Sequence, residues 1–204
     1  MTVATTFLTP VTNWRAELPA LTSRLVSLRE PTLRDAGDLL VLLSTDDATL
    51  FGAVEPHTSI AVQRLIERAA RDRAAGTAFT YAVTLNGSRR IVGLIQMRQL
   101  DSGFDAAEWE CIILPAFRGS GAFLEAVRLA GSFAFGVVGS RRLEARVPAA
   151  NGRAHGALRK LGAVQEGVLR RSLRRGSSHV DQVLWSLLKE DWGEHWVSTG
   201  PRVH

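Results

Sequence analysis

An apolar strand, a glycine-containing loop and the start of a helix follow one another in residues 108–126, Glu-Trp-Glu-Cys-Ile-Ile-Leu-Pro-Ala-Phe-Arg-Gly-Ser-Gly-Ala-Phe-Leu-Glu-Ala. This order predicts an anion-binding loop, because the free amides of a helix N-terminus point at a ligand and the helix dipole favours negative charge. Glycines let the backbone approach the ligand closely, and Arg118 adds a cation. A tight turn before a helix is the structural alternative. The segment lacks the lysine of a Walker loop and the third glycine of a dinucleotide fingerprint.

Hydrophobic patterns on both sides of this segment predict a mixed α/β fold with helices covering the faces of a sheet. The helix over 59–75 is expected to bury Ile60, Leu65, Ile66 and Ala69. Asn86-Gly87 indicates a hairpin between two strands. The predicted strands are 24–29, 79–85, 91–99, 107–114, 142–147, 163–170 and 180–188, and the predicted helices are 33–44, 59–75, 121–138 and 151–161.

Length and composition indicate one globular domain with short extensions. The chain has 204 residues, of which 46% are hydrophobic and 22% charged. We expect an N-terminal arm over 1–20, the domain over 21–192 and a C-terminal tail over 193–204. No apolar run approaches the roughly 18–20 residues of a membrane span. Residues 1–20 lack the features of a secretory signal, so a cytoplasmic setting is expected.

Cysteine and charge content narrow the function classes. Cys111 is the only cysteine, which excludes an internal disulfide and a thiolate zinc site, and no metal is predicted. The formal net charge is +5, which permits an anionic ligand without identifying one. Only the net charge favours the hypothesis of nucleic acid binding. Basic and aromatic residues are not interleaved as they are in proteins that bind nucleic acid strands, so this hypothesis is disfavoured.

Several ordered motifs resemble the GCN5-related N-acetyltransferases (GNAT), and more narrowly their RimJ/RimL-like branch. Arg118-x-x-Gly121-x-Phe123 resembles the loop that binds the pyrophosphate of acyl-CoA in that family. The resemblance covers roughly residues 21–192. It also rests on Ala107-Glu108, Pro115, Glu125-Ala126, Leu143-Glu144, Asn151-x-x-Ala154, Lys160-Leu161-Gly162-Ala163 and Glu166-Gly167.

The resemblance implies a GNAT-like fold, with a mostly antiparallel sheet of about seven strands, one splayed strand pair and about four helices. It also implies acetyl-CoA as cosubstrate, a primary amine as acceptor and direct attack without a protein nucleophile. The acceptor could be a protein N-terminus or a small molecule. The cofactor would contact the backbone of Ile112, Ile113 and Leu114, the loop residues Arg118, Gly119, Ser120, Gly121, Ala122 and Phe123, and Asn151. An N-cap is the alternative role of Asn151.

Glu108 and Glu110 are the candidate general bases, since they stand two apart on one strand and therefore share a face. A solvated strand face is the alternative interpretation. His155 is a second candidate base, with an exposed helical residue as the alternative. His179 and Asp181 share a strand face and could form an acid/base pair, but packing or hairpin registry is the favoured interpretation. Cys111 points to the opposite face and is interpreted as a core residue.

Departures from the family pattern motivate a second hypothesis, a non-catalytic acyl-CoA-binding or regulatory module. Phe123 replaces the usual Gly or Ala, Ala154 replaces a serine found in some relatives, and the only tyrosine, Tyr81, lies in a strand. The resemblance also implies an acceptor cleft bordered by the segment near residues 44–76, which contains Asp46, Asp47, Glu55 and His57. A solvated face is favoured for the arginines at 170–175. The sequence leaves the oligomeric state open, a homodimer included.

Overall fold

Residues 13–45 and 58–193 are described by the computed structural model of the chain. The chain divides into two compact units. The first comprises Met1–Arg98 and Glu110–Phe133, and the second comprises Gln99–Trp109 and Ala134–His204. The predicted loop at 46–56, which holds three of the four candidate acceptor-cleft residues, lies outside the described residues, as does the fourth, His57.

Four strands of the first unit form an antiparallel meander: β1 (Leu21–Thr22), β2 (Val26–Arg29), β3 (Ala78–Leu85) and β4 (Ile91–Gln99). Val26 pairs with Leu85, and Phe79 pairs with Met97. The connection between β3 and β4 contains the predicted Asn86-Gly87 turn. Strand β5 (Ala106–Ile113) gives its last residues to this unit and its first residues to the other.

Helices α1 (Ala36–Leu43) and α2 (Ser59–Ala75) cover one apolar cluster of the first unit. The predicted bounds of α2 are confirmed, and the Thr58 hydroxyl caps the helix by accepting a hydrogen bond from the Ala61 amide. The prediction that Ile60 is buried was wrong, because its exposed fraction is 62%. At about 100° per residue, Ile60 lies about 200° around the helix from buried Val62. The cluster includes Leu39, Leu42, Val62, Ile66, Ala82, Leu94 and Ile112.

Helix α3 (Ala122–Phe133) packs against β1, β2 and β3. Phe133 makes edge-to-face contacts with Phe79 and Tyr81, at ring-centroid distances of 5.2 and 5.8 Å. The prediction of one regular helix through residue 138 was wrong. From Ala134 to Val138 the backbone forms a π-helical turn, which hydrophobic spacing does not distinguish from an α-helix.

The second unit contains β6 (Arg142–Pro148), β7 (Val164–Arg175) and β8 (Ser178–Leu188). A parallel ladder joins Ala106–Glu108 of β5 to Arg142–Glu144 of β6, and both strands continue beyond it. β8 pairs antiparallel with both β6 and β7. The hairpin of β7 and β8 is longer than predicted, and its register shifts twice along β7.

Strand alternation divides the sheet of the second unit into an apolar and a polar face. Leu143, Ala145, Trp185 and Leu187 belong to the apolar face, where α4 (Gly152–Lys160) contacts Trp185 through His155. The polar face carries the charged residues Glu108, Arg142, Glu144, Arg146 and Glu166. Helix α5 (Lys189–Trp192) follows β8, and Trp192 contacts Phe135 at 5.3 Å between ring centroids.

The described residues form eight strands, in the hydrogen-bonded order β1-β2-β3-β4-β5-β6-β8-β7, and five α-helices. The predicted mixed α/β, mostly antiparallel fold is therefore confirmed. The structure has one strand and one helix more than the expected counts of about seven strands and four helices. The additional elements are the short β1, of two residues, and α5, of four. None of the described helices is both long enough and apolar enough to cross a membrane.

Candidate active site

The loop between β5 and α3 lies in the first unit and begins with a compact turn. The Leu114 amide donates to the Val92 carbonyl at 2.8 Å, and the Leu114 carbonyl accepts from the Phe117 amide at 2.9 Å. Pro115–Phe117 forms one 3₁₀ turn, which the Arg118 amide closes on the Pro115 carbonyl. Both backbone groups of Leu114 are thus used inside the protein. Leu114 was predicted to contact the cofactor through these backbone groups, each of which already has a hydrogen-bond partner within the protein.

Residues 119–121 present successive backbone amides. Gly119 and Gly121 have φ angles of +79° and +93°, which residues with a Cβ rarely adopt. Within the described residues, the amides of Gly119, Ser120 and Gly121 donate to no other protein atom. Successive amides of this kind, next to a helix N-terminus, form a concave site for an anion. The structure therefore brings together the predicted loop residues in a geometry suited to phosphate.

Side-chain contacts fix the start of α3. The Ser120 hydroxyl donates to the Phe117 carbonyl at 2.7 Å and accepts from the Ala122 amide at 3.3 Å. Ala122 is fully buried, and Phe123 is half-buried in the first turn of the helix. These contacts hold the open amides of the loop in place.

Glu125 anchors the same helix to the start of β2. Its carboxylate accepts hydrogen bonds from the Ser23 hydroxyl and, at 2.9 Å, from the Leu25 amide. The sequence analysis quoted Glu125 only as part of a motif and assigned it no role. An acidic residue in a first helical turn was the available signal, but its partners stand 100 and 102 residues away.

The two candidate bases lie on the same face of β5. Glu108 is buried, pairs with Glu144 across the parallel ladder, and has its Oε1 3.4 Å from the Nε of Arg146. Glu110 is half-buried. Cys111 points to the opposite face, as strand alternation requires. Cys111 is half-buried rather than part of the core, and desolvation raises the pKa of its thiol, which keeps it protonated and unsuited to act as a nucleophile.

His155 makes two hydrogen bonds that assign its ring a structural role. Indole nitrogen is only a donor, so the Trp185 Nε1 donates to Nδ1 of His155 at 3.1 Å. The proton of the neutral ring is then on Nε2, which donates to the Ala149 carbonyl at 3.2 Å. His155 therefore links α4 to β8 and to the turn before α4, and neither ring nitrogen is left to accept a proton from a substrate.

Asn151 and Asp181 also make backbone contacts in the second unit. The Oδ1 of Asn151 accepts from the Ala154 amide at 3.1 Å, which is the N-cap role that the sequence left as an alternative. The Oδ1 of Asp181 accepts from the Arg171 amide at 2.8 Å, where the register of β7 shifts. This contact agrees with the expected part of Asp181 in hairpin registry.

An ion-pair network occupies the polar face of the second unit. Arg142 donates to Glu144 at 2.8 Å and holds both carboxylate oxygens of Glu166, while the Ser186 hydroxyl donates to Glu166 at 2.7 Å. The hydrogen bonds from Arg142, followed by the one from Ser186, lower the pKa of Glu166 to about 2. Glu166 is therefore a poor proton acceptor near neutrality. Among the described residues, no cluster of three or more His, Cys, Asp or Glu side chains could hold a metal ion.

The sequence profile of the acetyltransferase (GNAT) domain matches residues 25–164. The chain belongs to the GNAT family. The family predicted from the loop and its flanking motifs is thus confirmed. No curated protein matches the sequence.

Solved structures share the GNAT fold over most of this chain. A candidate acetyltransferase from T. thermophilus is 25% identical, with a TM-score of 0.73, and the match covers 91% of this chain and 97% of that one. Mycobacterium smegmatis RimJ in complex with CoA-disulfide is 20% identical, with a TM-score of 0.75 and coverages of 86% and 89%. The microcin C7 self-immunity acetyltransferase MccE, in complex with acetyl-CoA and AMP, is 17% identical, with a TM-score of 0.70 and coverages of 81% and 93%.

The likeness to RimJ agrees with the expected RimJ/RimL-like branch at the level of the fold. The loop at Gly119–Gly121 lies inside the segment that the GNAT profile matches, as do Glu108, Glu110 and Asn151. This chain is therefore an acetyltransferase-type GNAT protein whose predicted site residues all belong to the family domain.

Proposed function

We propose that this GNAT chain transfers the acetyl group of acetyl-CoA to a primary amine, with the loop at Gly119–Gly121 binding the diphosphate. The observation that carries the proposal is the row of three amides without a protein acceptor, among the described residues, at the N-terminus of α3. The RimJ and MccE structures contain CoA-disulfide and acetyl-CoA, respectively, on the same fold. A diphosphate carries the negative charge that such amides and a helix dipole stabilise.

Further contacts to acetyl-CoA are proposed for the other residues that the sequence singled out. Arg118 supplies a guanidinium, and Ala122 and Phe123 bring the first turn of α3 to the ligand. Of the three strand residues, Ile113 is best placed to bind the pantetheine arm. Alternate residues of a strand direct their backbone hydrogen bonds to the same neighbouring strand. Because the Leu114 amide bonds to Val92 of β4, the backbone groups of Leu114 and Ile112 face β4, and those of Ile113 face the other way. Asn151 would contribute its amide nitrogen, since its oxygen caps α4.

The reaction needs no covalent enzyme intermediate. The neutral amine nitrogen attacks the thioester carbonyl and releases one proton to water as the amide bond forms. The carbon–sulfur bond breaks, and CoA leaves as a thiolate that takes a proton from water. The ammonium form of the acceptor must first lose a proton, for which Glu108 or Glu110 serves as base directly or through water. A backbone donor at Ile113 would stabilise the negative charge on the carbonyl oxygen. We expect this chemistry to take place in the cytoplasm.

Two glycine variants test the loop assignment. Gly119 and Gly87 share a φ of +79°, and a Cβ at either position meets no atom within 4 Å. Gly119→Leu and Gly87→Leu should therefore lose similar stability, about 1–2 kcal/mol each. Only Gly119→Leu should weaken CoA binding in calorimetry, by about 100-fold, because its side chain blocks the amides. Equal CoA affinity of the two variants would contradict the assignment.

The alternative function is a non-catalytic acyl-CoA-binding module, favoured by two side chains. The Phe123 ring lies in the first turn of α3, and the Tyr81 hydroxyl donates to the Pro19 carbonyl in the interior. Burial, followed by the charge of Glu30, raises the pKa of Tyr81, so this tyrosine is not the proton donor to the leaving thiolate. Thiol release from acetyl-CoA over a panel of amines separates the two functions. CoA binding without turnover on any amine would favour the module.

A further inference from the structure

A second cationic cavity lies in the first unit, where the end of β2, the start of α1 and the connection from β3 to β4 meet. It has a volume of about 670 Å³, and its walls include Arg29, Arg34, Arg89 and Arg90. Asp35 and Asp38 are the acidic residues of the walls. Four guanidinium groups against two carboxylates leave the lining with a formal charge of +2. The volume falls within the roughly 300–1,000 Å³ that small-molecule sites occupy.

Both carboxylates of the cavity already accept hydrogen bonds from other residues of the protein. Asp35 accepts from the Arg29 guanidinium at 2.8 and 2.6 Å, and from the Thr32 amide and hydroxyl at 2.7 and 2.9 Å. Asp38 accepts from the Ile91 amide at 2.9 Å. Arg29 is thus neutralised by Asp35, and Asp38 ties α1 to the start of β4.

The other three arginines keep their guanidinium groups available. Within the described ranges, the side chains of Arg34, Arg89 and Arg90 make no hydrogen bond or ion pair with another residue. The backbone of Arg89 and that of Arg90 are held nonetheless. The Arg89 carbonyl accepts from Arg29 at 3.5 Å, and the Arg90 amide donates to the Ser88 hydroxyl at 3.1 Å. Three like charges therefore line one cavity, and a bound anion would relieve their repulsion.

We propose that this cavity binds a phosphate monoester through Arg34, Arg89 and Arg90, as a second anion site apart from the loop at Gly119–Gly121. Guanidinium forks match phosphate oxygens in pairs, and a phosphate carries enough charge to satisfy more than one arginine, which a single carboxylate does not. The phosphate belongs either to a separate small molecule or to the 3′-position of CoA. If the phosphate belongs to a separate molecule, the site stands independently of the proposed acetyl transfer; if it belongs to CoA, the site rests on that proposed function.

Calorimetric titration of the full chain with adenosine 5′-monophosphate tests the site. The double variant Arg89→Ser/Arg90→Ser should weaken binding by about tenfold or more, because it removes two charged donors. The control Arg68→Ser/Arg71→Ser removes the same charge from the exposed face of α2 and should leave the affinity unchanged. Gly119→Leu should also retain the binding, which separates this cavity from the diphosphate loop.

Competition identifies the source of the phosphate. Displacement of the nucleotide by CoA but not by dephospho-CoA would assign the cavity to the 3′-phosphate of CoA, and unchanged binding in saturating CoA would assign it to a separate molecule. The proposal is overturned if the nucleotide does not bind, if both double variants weaken binding equally, or if an oligoglutamate peptide binds in its place.

Discussion

At the scale of single residues, Glu108 and Glu110 share a strand face but have different surroundings. Glu108 is buried against Arg146, whereas Glu110 is half-buried and stands two residues closer to the Gly119–Gly121 loop. Glu108→Gln and Glu110→Gln each remove a carboxylate while keeping its shape. We expect at least one of them to lower kcat/KM by about 10²–10⁴-fold, the usual contribution of a general base.

The pH profile then identifies the base. The variant that lacks it should recover activity as pH rises, because the amine loses its proton in solution before it binds. Glu67→Gln, on the exposed face of α2, is the control and should behave as wild type. If neither strand variant lowers turnover, neither carboxylate is the base.

Glu166 makes a second prediction at this scale, for stability rather than activity. Its pKa is about 2 in the folded chain, against an ordinary value of 4.5, because Arg142 and Ser186 bond to its ionised form. A carboxyl group with a depressed pKa stabilises the fold above its ordinary value and loses that contribution as pH falls toward the depressed one. Wild type should therefore be more stable than Glu166→Gln at pH 7, with the difference shrinking between pH 4.5 and pH 2.

Urea unfolding at pH 7, 4 and 3 measures this difference. Because the Glu166 side chain is 34% exposed, solvent screens its ion pair, and we expect about 1 kcal/mol at pH 7. Glu190→Gln, an exposed position in α5, should show no such trend. A gap between wild type and Glu166→Gln that stays constant down to pH 3 would contradict the ionised pairing with Arg142.

At the scale of elements, local signals predicted the structure well where neighbouring residues determine it. The bounds of α2 follow from the Thr58 cap and from the turn at Gly76, and both are visible in the sequence. The loop before α3 could be predicted because Pro115, Gly119 and Gly121 act within a few residues of each other. By contrast, β7 continues through the exposed, arginine-rich stretch to Arg175 with a shifted register, so alternation does not reveal it.

Contacts between distant elements account for what sequence reasoning missed. The bond from Leu25 to Glu125 spans 100 residues, and that from Trp185 to His155 spans 30. No local pattern states that Glu125 will anchor α3, or that His155 will serve as a structural link rather than a base. The residues of the Gly119–Gly121 loop are predictable because their task is backbone geometry. The roles of charged side chains depend on partners that only the fold supplies.

At the scale of the whole molecule, the charge balance bears on how fast an anionic substrate arrives. The chain carries 25 Lys and Arg against 20 Asp and Glu, a formal charge of +5 with neutral histidines. Acetyl-CoA carries several negative charges on its phosphates, so long-range attraction should speed its encounter with the protein. The Debye length falls from about 10 Å at 0.1 M salt to about 3 Å at 1 M, which screens that attraction.

Stopped-flow measurements of acetyl-CoA binding should therefore show an association rate that falls about tenfold between 0.02 and 0.5 M salt. The dissociation rate should change less, because contacts inside the bound complex are shorter than the screening distance. Dephospho-CoA, which has fewer charges, is the matched control and should show a weaker salt dependence. An association rate that is equal for both ligands at every salt concentration would mean that the net charge does not guide the encounter, and that the basic surface serves other partners or none.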